Sequence, residues 1–573
     1  MTDQPAWIGA YPPGVSATLP PLPHPHIPAM LRAAAAAYHN QTAFSVCLPN
    51  GAHAAMSFAE VDRLSDAFAA YLREDLGLQP GDRVAIQMPN SFGYAVAAFG
   101  VLKAGCTVAN VNPLYTAEET LHQVHDSGAR TLVLIDMFAG RMTLEILGHL
   151  DNVILASVVD FFPSVKRKLV QFVLKRVKKQ VPTPAFPHAR LMDAVAAGAR
   201  HLAAGPDAVL AYTDGLGHDT TAALQYTGGT TGVAKGAMLS HGNLMANVEQ
   251  SYGMLGDRVI PGREVCLTVL PLYHIFAFTI NLLGMFQVGG HNVLIPSPRP
   301  LSNLKPALET FPVTWTSGVN TLFNALCNED WFAQQPPKHL KASVSAGMAL
   351  HEDVAKRWEE ITQSPVVEGY GLTEASPTLT VTPFSASGRR NTIGIPLPGT
   401  VVALLDDDGN PAPQGQPGEL CAKGPQVMQG YWNRPDAAKD VFVEHQGKTW
   451  LRTGDVATLD SDGFLEIVDR IKDMIAVGGF KVFPSQVEDV LLDHPGVKEA
   501  LVIGRPDSYR GEAPVAYVTL NADARATGEE LRDWLNARVG KHERADEVVI
   551  RAALPKTMIG KLDRKALRAE VLG

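Results

Sequence analysis

Residues 226–236 read YTGGTTGVAKG. Glycines at 228, 229 and 232 let backbone N–H groups turn toward an anion. The hydroxyls of Thr227, Thr230 and Thr231 add donors, and Lys235 adds a positive charge on a mobile stem. Such a stretch can cradle phosphates. It is not a Walker A loop, which needs G-x-x-x-x-G-K-[ST] counted from Gly228 or Gly229. Nor does a G-x-G-x-x-G follow the short apolar run Ala222, Ala223, Leu224, so a dinucleotide fold is not indicated. Taken alone, the segment also reads as a solvated Gly/Thr loop.

Other segments set functional groups among apolar neighbours. PLYHIFAF (residues 271–278) puts His274 among aromatics, and SAGMAL (residues 345–350) is a small-residue turn after an expected strand. EGYGLTE (residues 368–374) sets Tyr370 and Glu374 on either side of a turn. WLRTGD ends in Asp455, IVDRIKD contains Arg470, Lys472 and Asp473, and PKTMIGKLDRKALR presents Lys561 after Gly560. Singly, each has a plain structural reading: a packed core histidine, a turn aspartate, a basic tail.

The elements that must hold these groups alternate in type. RVAIQMP (residues 83–89), TVANVNP and TLVLID (residues 131–136) read as strands. AVAAFGVLKAG reads as a helix closed by Gly105, and Thr116 with Glu119 forms a capping box that opens another. Strand and helix in alternation predict a parallel α/β layer. Residues 400–470 are strand- and turn-rich, with hairpin signals at Asp408 and Gly409 and at Asp462 and Gly463. After Arg470 the pattern resets into a run of helix, two strands and helix, enough for a separate α+β domain.

Residues 163–181, PSVKRKLVQFVLKRVKKQV, differ from the rest. Val165, Leu169, Phe172, Val173 and Val177 share a helical face, surrounded by Lys166, Arg167, Lys168, Lys175, Arg176, Lys178 and Lys179 with no acid. Two readings stand side by side: a helix lying on an anionic bilayer, or a surface helix packed on the core by its apolar side.

At 573 residues the chain exceeds a single core and should form two or more domains. Its hydrophobic content of 46% and charged content of 19% are those of a globular protein. The net charge of -9 argues against nucleic acid as a partner. Five scattered cysteines, never spaced as C-x-x-C, read as buried thiols in a reducing compartment and not as staples or zinc ligands. The N-terminus has no apolar stretch of signal-peptide type, and no segment reaches the length of a membrane span. A cytoplasmic protein, at most peripheral on the inner face of the membrane, is expected.

In this order, YTGGTTGVAKG, EGYGLTE, TGD, DRIKD with GGFKVFP, and the terminal GK resemble the motif set of adenylate-forming enzymes over nearly the whole chain. Within that superfamily PLYHIFAFTINLL, TSGVNTLFNAL and GQPGELCAKGPQVMQGYWNRPDA look most like bacterial long-chain fatty acid–CoA ligases. The resemblance implies an α/β fold: a large N-terminal domain (residues 1–471) of two α/β subdomains plus a β-rich one at about 400–471, and a small mobile α+β domain (residues 472–573) carrying the catalytic lysine. It implies ATP, Mg2+ and coenzyme A. The carboxylate of a fatty acid attacks the α-phosphate of ATP; the thiol of coenzyme A then displaces AMP.

Residue by residue, the resemblance implies that Thr227, Gly228, Gly229, Thr230, Thr231, Gly232 and Lys235 hold the phosphates. Glu374, with Thr230, would take Mg2+. Tyr370 would stack near the adenine, in room left by Gly347 and Gly369, with Gly371 and Thr373 beside it. Asp455 would bind the ribose hydroxyls, with Arg470 in support. Lys561 would bridge the attacking carboxylate and the α-phosphate, completing a catalytic set with Glu374, Thr230 and His274. Lys472 would be the pivot that brings Gly478 and Gly479 toward the thiol. His274, Ile275, Phe276, Phe278, Gly318 and Val319 would line the acyl tunnel, glycine at 318 leaving space for a long chain. The chain departs from the family at Gln486, at KHERADEV near residue 545 and at Asp563, none of them a catalytic position. A homodimer is compatible with this reading. Its rivals are a fatty acyl-AMP ligase that loads a carrier protein, a medium-chain or aromatic acid–CoA ligase, and a non-catalytic acyl-binding protein of the membrane surface.

Overall fold

The computed structural model describes residues 5–205, 207–227, 234–406, 408–478, 480–556 and 562–572. The chain packs as two compact units: Ile8–Thr400 with Gly424–Asp440, and Val401–Lys423 with Val441–Gly573 together with Met1–Trp7. Compactness thus divides the chain near residue 400. The boundary expected at 471/472 concerns motion and not compactness.

The larger unit holds two sheets. In the seven-stranded sheet, Arg83–Gln87, Thr107–Asn110, Thr131–Ile135, Asn152–Ala156 and Thr221–Thr227 run parallel, and Lys235–Ser240 closes one edge antiparallel. In the nine-stranded sheet the parallel core comprises Thr42–Cys47, His291–Leu294, Val265–Thr268, Trp315–Gly318, Ala342–Ala346 and Val366–Gly371. The expected strands at 83, 107 and 131 are present, and Ala117–Ser127 opens on the Thr116/Glu119 capping box.

Helix Phe92–Lys103 is buried along its whole length and touches strands of both sheets. Lying between two apolar layers, it needs no polar face, which is why its sequence shows none. Its Lys103 is buried and paired with Asp62 and Asp66 at 2.5 and 2.8 Å. All five cysteines are free and buried.

The smaller unit also holds two sheets. Val401–Leu405, Gly418–Lys423, Phe442–His445, Lys448–Leu459 and Leu465–Arg470 form one antiparallel sheet. Asp462 and Gly463 make its last hairpin, Leu459 facing Leu465. The second sheet contains Ile475–Val477, Phe480–Val482, Val497–Asp507, Gly511–Leu520 and Glu547–Ile550, with helices Pro484–Leu492, Gly528–Asn536 and Arg564–Leu572. Its core gathers Val482, Val487, Leu491, Val502, Leu531 and Leu535.

Candidate functional site

In the larger unit, predicted residues far apart in sequence meet at the carboxyl ends of neighbouring parallel strands. Gly318 is in register with Ser345, and Ala346 with Gly369. Val319, Gly347 and Tyr370 follow directly. Crevices of this kind, outside the carboxyl ends of parallel strands, are where open α/β sheets bind ligands. A Cβ on Gly347 would find no atom nearer than Val319 Cγ1 at 3.9 Å, so there is open room beside it. Gly371 has a different reason to be glycine. A Cβ there would lie 1.9 Å from the Pro377 carbonyl oxygen, so the chain closes on itself before the Thr373–Ala375 turn.

The segment expected to hold phosphates begins and ends on paired strands. Thr227 pairs with Lys235 across the antiparallel strands. The loop residues Gly228, Gly229, Thr230, Thr231 and Gly232 lie outside the described residues. Along the outer edge of the Lys235–Ser240 strand runs the segment around Tyr431: Met238 N–H donates to Gly430 O at 2.9 Å, and Trp432 N–H to Gly236 O at 2.8 Å. This pairing sets Tyr431 between two predicted groups. Lys235 Nζ lies 5.2 Å from the centre of its ring, and its hydroxyl donates to Glu374 Oε1 at 2.5 Å. Burial, and then the Glu374 carboxylate, push the Tyr431 phenol up, so it stays a donor at neutral pH. Met428 N–H donates to the Glu374 carbonyl at 2.8 Å and fixes the turn. Sequence reading gave Tyr431 no role; the only signal was its place in the quoted GYWNRP stretch.

The His274 loop is held by a chain of buried amides that sequence reading also missed. Asn90 accepts from Leu272 N–H at 2.8 Å and donates to Leu270 O at 2.9 Å. The Tyr94 hydroxyl lies 2.6 Å from Asn110 Oδ1 and 2.9 Å from Leu272 O. Asn110 donates to Gln225 at 3.0 Å, and Gln225 donates to Tyr273 O at 2.9 Å. Buried polar groups satisfied in this way rigidify what they hold. They present His274 to solvent while Ile275, Phe276 and Phe278 point into the core. Gly318 differs from expectation. A Cβ there would sit 2.9 Å from Phe323 Cζ, so the space this glycine leaves is filled by Phe323 and Leu322.

In the smaller unit, Asp455 and Arg470 face each other across antiparallel strands and pair at 3.1 Å. Asp455 is 8% exposed. The turn Ile471–Asp473 follows, and burial, then Arg470, lowers the Lys472 ammonium below the usual lysine range. Next to Lys472, Asp473 accepts from Arg564 at 3.0 Å. Arg564 also pairs with Glu488 at 2.6 Å and donates to Val502 O at 3.1 Å. Thr373 and Glu374 belong to the larger unit and Asp455, Arg470 and Lys472 to the smaller. Lys561 lies outside the described residues, but its flanks do not: Lys556 and Leu562 form a β-bridge, and Asp563 N–H donates to Pro555 O at 2.8 Å. Val477 faces Phe480 across antiparallel strands, and Gly478 has φ of +58°, a value that favours glycine; Gly479 lies outside the described residues.

Residues 31–432 match the family model of AMP-binding enzymes, and residues 486–561 match the C-terminal domain of the same enzymes. The chain belongs to the AMP-binding enzyme family. This AMP-binding enzyme is 43% identical to a long-chain-fatty-acid–CoA ligase of Escherichia coli O6:H1 over 571 residues, 99% of this chain and 98% of the relative. It is 33% identical to a ligase of the same description from Bacillus subtilis, over 100% of this chain and 99% of the relative. Among solved structures it is similar to ATP-bound MatB from Rhodopseudomonas palustris, with a TM-score of 0.80, 25% identity, and 95% and 99% of the two chains covered. The fold is that of the adenylate-forming enzymes, with a large N-terminal α/β domain and a small C-terminal domain. ATP and coenzyme A are the substrates of AMP-binding CoA ligases. Among the described residues, no helix is long and apolar enough to cross a membrane.

The residues present suit a magnesium nucleotide. Glu374 supplies one hard carboxylate oriented by Tyr431, and Mg2+ in nucleotide sites takes one or two carboxylates with the substrate phosphates. Lys235 offers a cation to the same anion. Within the smaller unit, the Asp455–Arg470 pair sets a hydrogen-bond acceptor beside a donor.

Proposed function

We propose that this enzyme activates long-chain fatty acids to acyl-CoA through an acyl-adenylate, releasing pyrophosphate and AMP. The observation that carries this is the Lys235–Tyr431–Glu374 chain, which ties the phosphate loop to the carboxylate that would face the metal. The kinship with long-chain-fatty-acid–CoA ligases along 99% of the chain supports the substrate class.

In the first step an oxygen of the fatty carboxylate attacks the α-phosphorus, and the bond to the bridging oxygen of pyrophosphate breaks. The nucleophile is already ionised at neutral pH and needs no base. What it needs is cancellation of charge between two anions. Thr227, Lys235 and the loop between them would hold the β- and γ-phosphates. Tyr370, with Gly347, Gly369, Gly371 and Thr373, would take the adenine, and Asp455 the ribose with Arg470 in support. Lys561 would bridge carboxylate and α-phosphate. Mg2+, held by Glu374 with Thr230, would supply hard positive charge to the phosphate oxygens.

In the second step the thiolate of coenzyme A attacks the acyl carbon and AMP leaves with the electron pair of the C–O bond. The domain from residue 472 onward would turn about Lys472, withdrawing Lys561 and bringing the turn at 478 and 479 to the thiol. A lysine at this pivot tolerates a change of solvent exposure. His274, Ile275, Phe276, Phe278, Gly318 and Val319 would line the acyl path; since Phe323 and Leu322 fill the space at Gly318, those side chains would have to swing aside for a long chain. The enzyme would work in the cytoplasm, where its thiols stay reduced and its substrate partitions into the nearby membrane.

The test is ATP-dependent release of pyrophosphate and AMP across acids from acetate to oleate, with and without coenzyme A. A maximum at long chains with acyl-CoA as product is expected. Pyrophosphate without thioester would instead point to a carrier-protein acceptor, and a maximum at medium-chain or aromatic acids to a medium-chain or aromatic acid–CoA ligase. No turnover with any acid would overturn the catalytic reading.

A further inference from the structure

The basic amphipathic segment has an unusual placement. Residues Ser164–Phe172 form an α-helix that continues as a π turn, Val173–Val177, and no side chain in either is buried. The helix is seated on the larger unit through its other side: Arg167 Nη1 lies 3.1 Å from Met192 Sδ, Lys166 Nζ donates to His53 O at 3.1 Å, and Val170 and Leu174 are half-buried. Four of the five residues of the stripe read from the sequence therefore turn outward, Val173 being half-buried. Val165 is 81% exposed, Leu169 64%, Phe172 59% and Val177 64%. Packing of this stripe on the core, one of the two readings of the sequence, is set aside.

We infer that this outward face is a docking surface for an anionic phospholipid bilayer. Single exposed apolar residues need no explanation, but four large ones on one short element do. Their surroundings select the partner. Lys166, Lys168, Lys175, Arg176, Lys178 and Lys179 flank the stripe, and residues 163–181 contain no acid in a chain of net charge -9. Apolar side chains entering the boundary of headgroup and acyl chain, ringed by cations that meet lipid phosphates, are the two contributions that hold an interfacial helix. A second copy of this face would oppose cation to cation, so self-association through it is disfavoured. The face would bring the enzyme to the phase in which long-chain acids dissolve. That consequence rests on the ligase reading; the docking does not.

The test uses the full chain, without ATP or acid, so a failure of the ligase reading leaves it untouched. Flotation with phosphatidylglycerol–phosphatidylcholine vesicles should recover the protein at low salt and less of it at high salt, whereas phosphatidylcholine vesicles should recover little. The double variant Leu169→Glu/Phe172→Glu should bind anionic vesicles about tenfold less or weaker still. Both side chains are exposed, so its thermal midpoint should match the parent. Reversing Lys175, Arg176, Lys178 and Lys179 to glutamate should remove the preference for anionic lipid. Equal binding of parent and double variant would overturn the inference, as would no binding of the parent. A parent that self-associates in lipid-free sedimentation, and a double variant that does not, would also overturn it, by assigning the face to a second copy.

Discussion

The two units hold their functional groups by different forces. In the larger unit the groups are set by hydrogen bonds whose donors are neutral: a phenol on Glu374, and amides from Asn90, Asn110 and Gln225 beneath the His274 loop. In the smaller unit they are set by ion pairs: Asp455 with Arg470, and Arg564 with both Asp473 and Glu488. Neutral networks fix one geometry and leave the bound anion to meet the cations present. Charge pairs beside the proposed pivot would hold their own body stiff while that body turned. On the proposed mechanism, a site serving both half-reactions would need the first property, and a lysine serving one of them the second.

The largest expected effect tests that division directly. Lys561→Ala should slow adenylation by about a hundredfold to a thousandfold, as loss of a well-placed donor to developing charge does. Thioester formation from supplied acyl-AMP should be almost unchanged. Pyrophosphate release and acyl-CoA formation, measured separately, decide it; an equal loss in both steps would refute the role. Tyr431→Phe comes next. It keeps the ring beneath Lys235 and removes only the hydroxyl on Glu374. The Mg2+ concentration for half-maximal pyrophosphate release should rise about 10- to 100-fold, the usual cost of losing a group that orients a metal ligand. An unchanged Mg2+ dependence would make the tyrosine a packing residue.

Much of this was legible beforehand, for reasons that also mark the limit. The strands at 83, 107 and 131 and the Thr116 cap are local, so spacing alone finds them. The glycine-rich segments fall at the ends of strands because backbone must turn there. What stayed hidden depends on distant pairing. Tyr431 meets Lys235 and Glu374 only because its segment lies along the edge of a strand far back in the chain. Asn110 and Gln225 read as ordinary strand residues until neighbouring strands set them side by side. The helix at 164–177 shows the same limit in another form: periodicity reveals an apolar stripe but not whether it faces inward.

Arg564 sharpens the comparison on the mobile side. It stands three positions after Lys561 and is tied to Asp473, next to the proposed pivot. If this tie carries the lysine, Arg564→Gln should lower adenylation about tenfold, the scale of a lost charged hydrogen bond, and spare the thioester step. Arg564→Lys should recover only part, because lysine lacks the fork that reaches two carboxylates at once. Loss of both steps together, with a lower thermal midpoint, would mean that the arginine only stabilises the unit.

The smallest effect probes the neutral side through a carboxyl that the proposed chemistry does not use. Glu368 stands in the same strand as Tyr370, and its Oε2 accepts from Leu350 N–H at 3.2 Å. Burial is the larger influence and pushes its carboxyl from 4.5 up to about 8, against the pull of that hydrogen bond. A carboxyl raised on folding is one that the folded chain prefers protonated. Its contribution to stability is complete below about 4.5, declines as pH rises, and is lost as pH passes through about 8. Glu368→Gln keeps the shape and removes the titration. Its thermal midpoint should vary less over that window and exceed the parent's at the alkaline end by a few degrees, about what one or two kcal/mol yields in a domain of this size. Glutamine also keeps an acceptor for Leu350, so the difference reports the charge alone. If the two midpoints run parallel across the window, Glu368 is ionised in the fold.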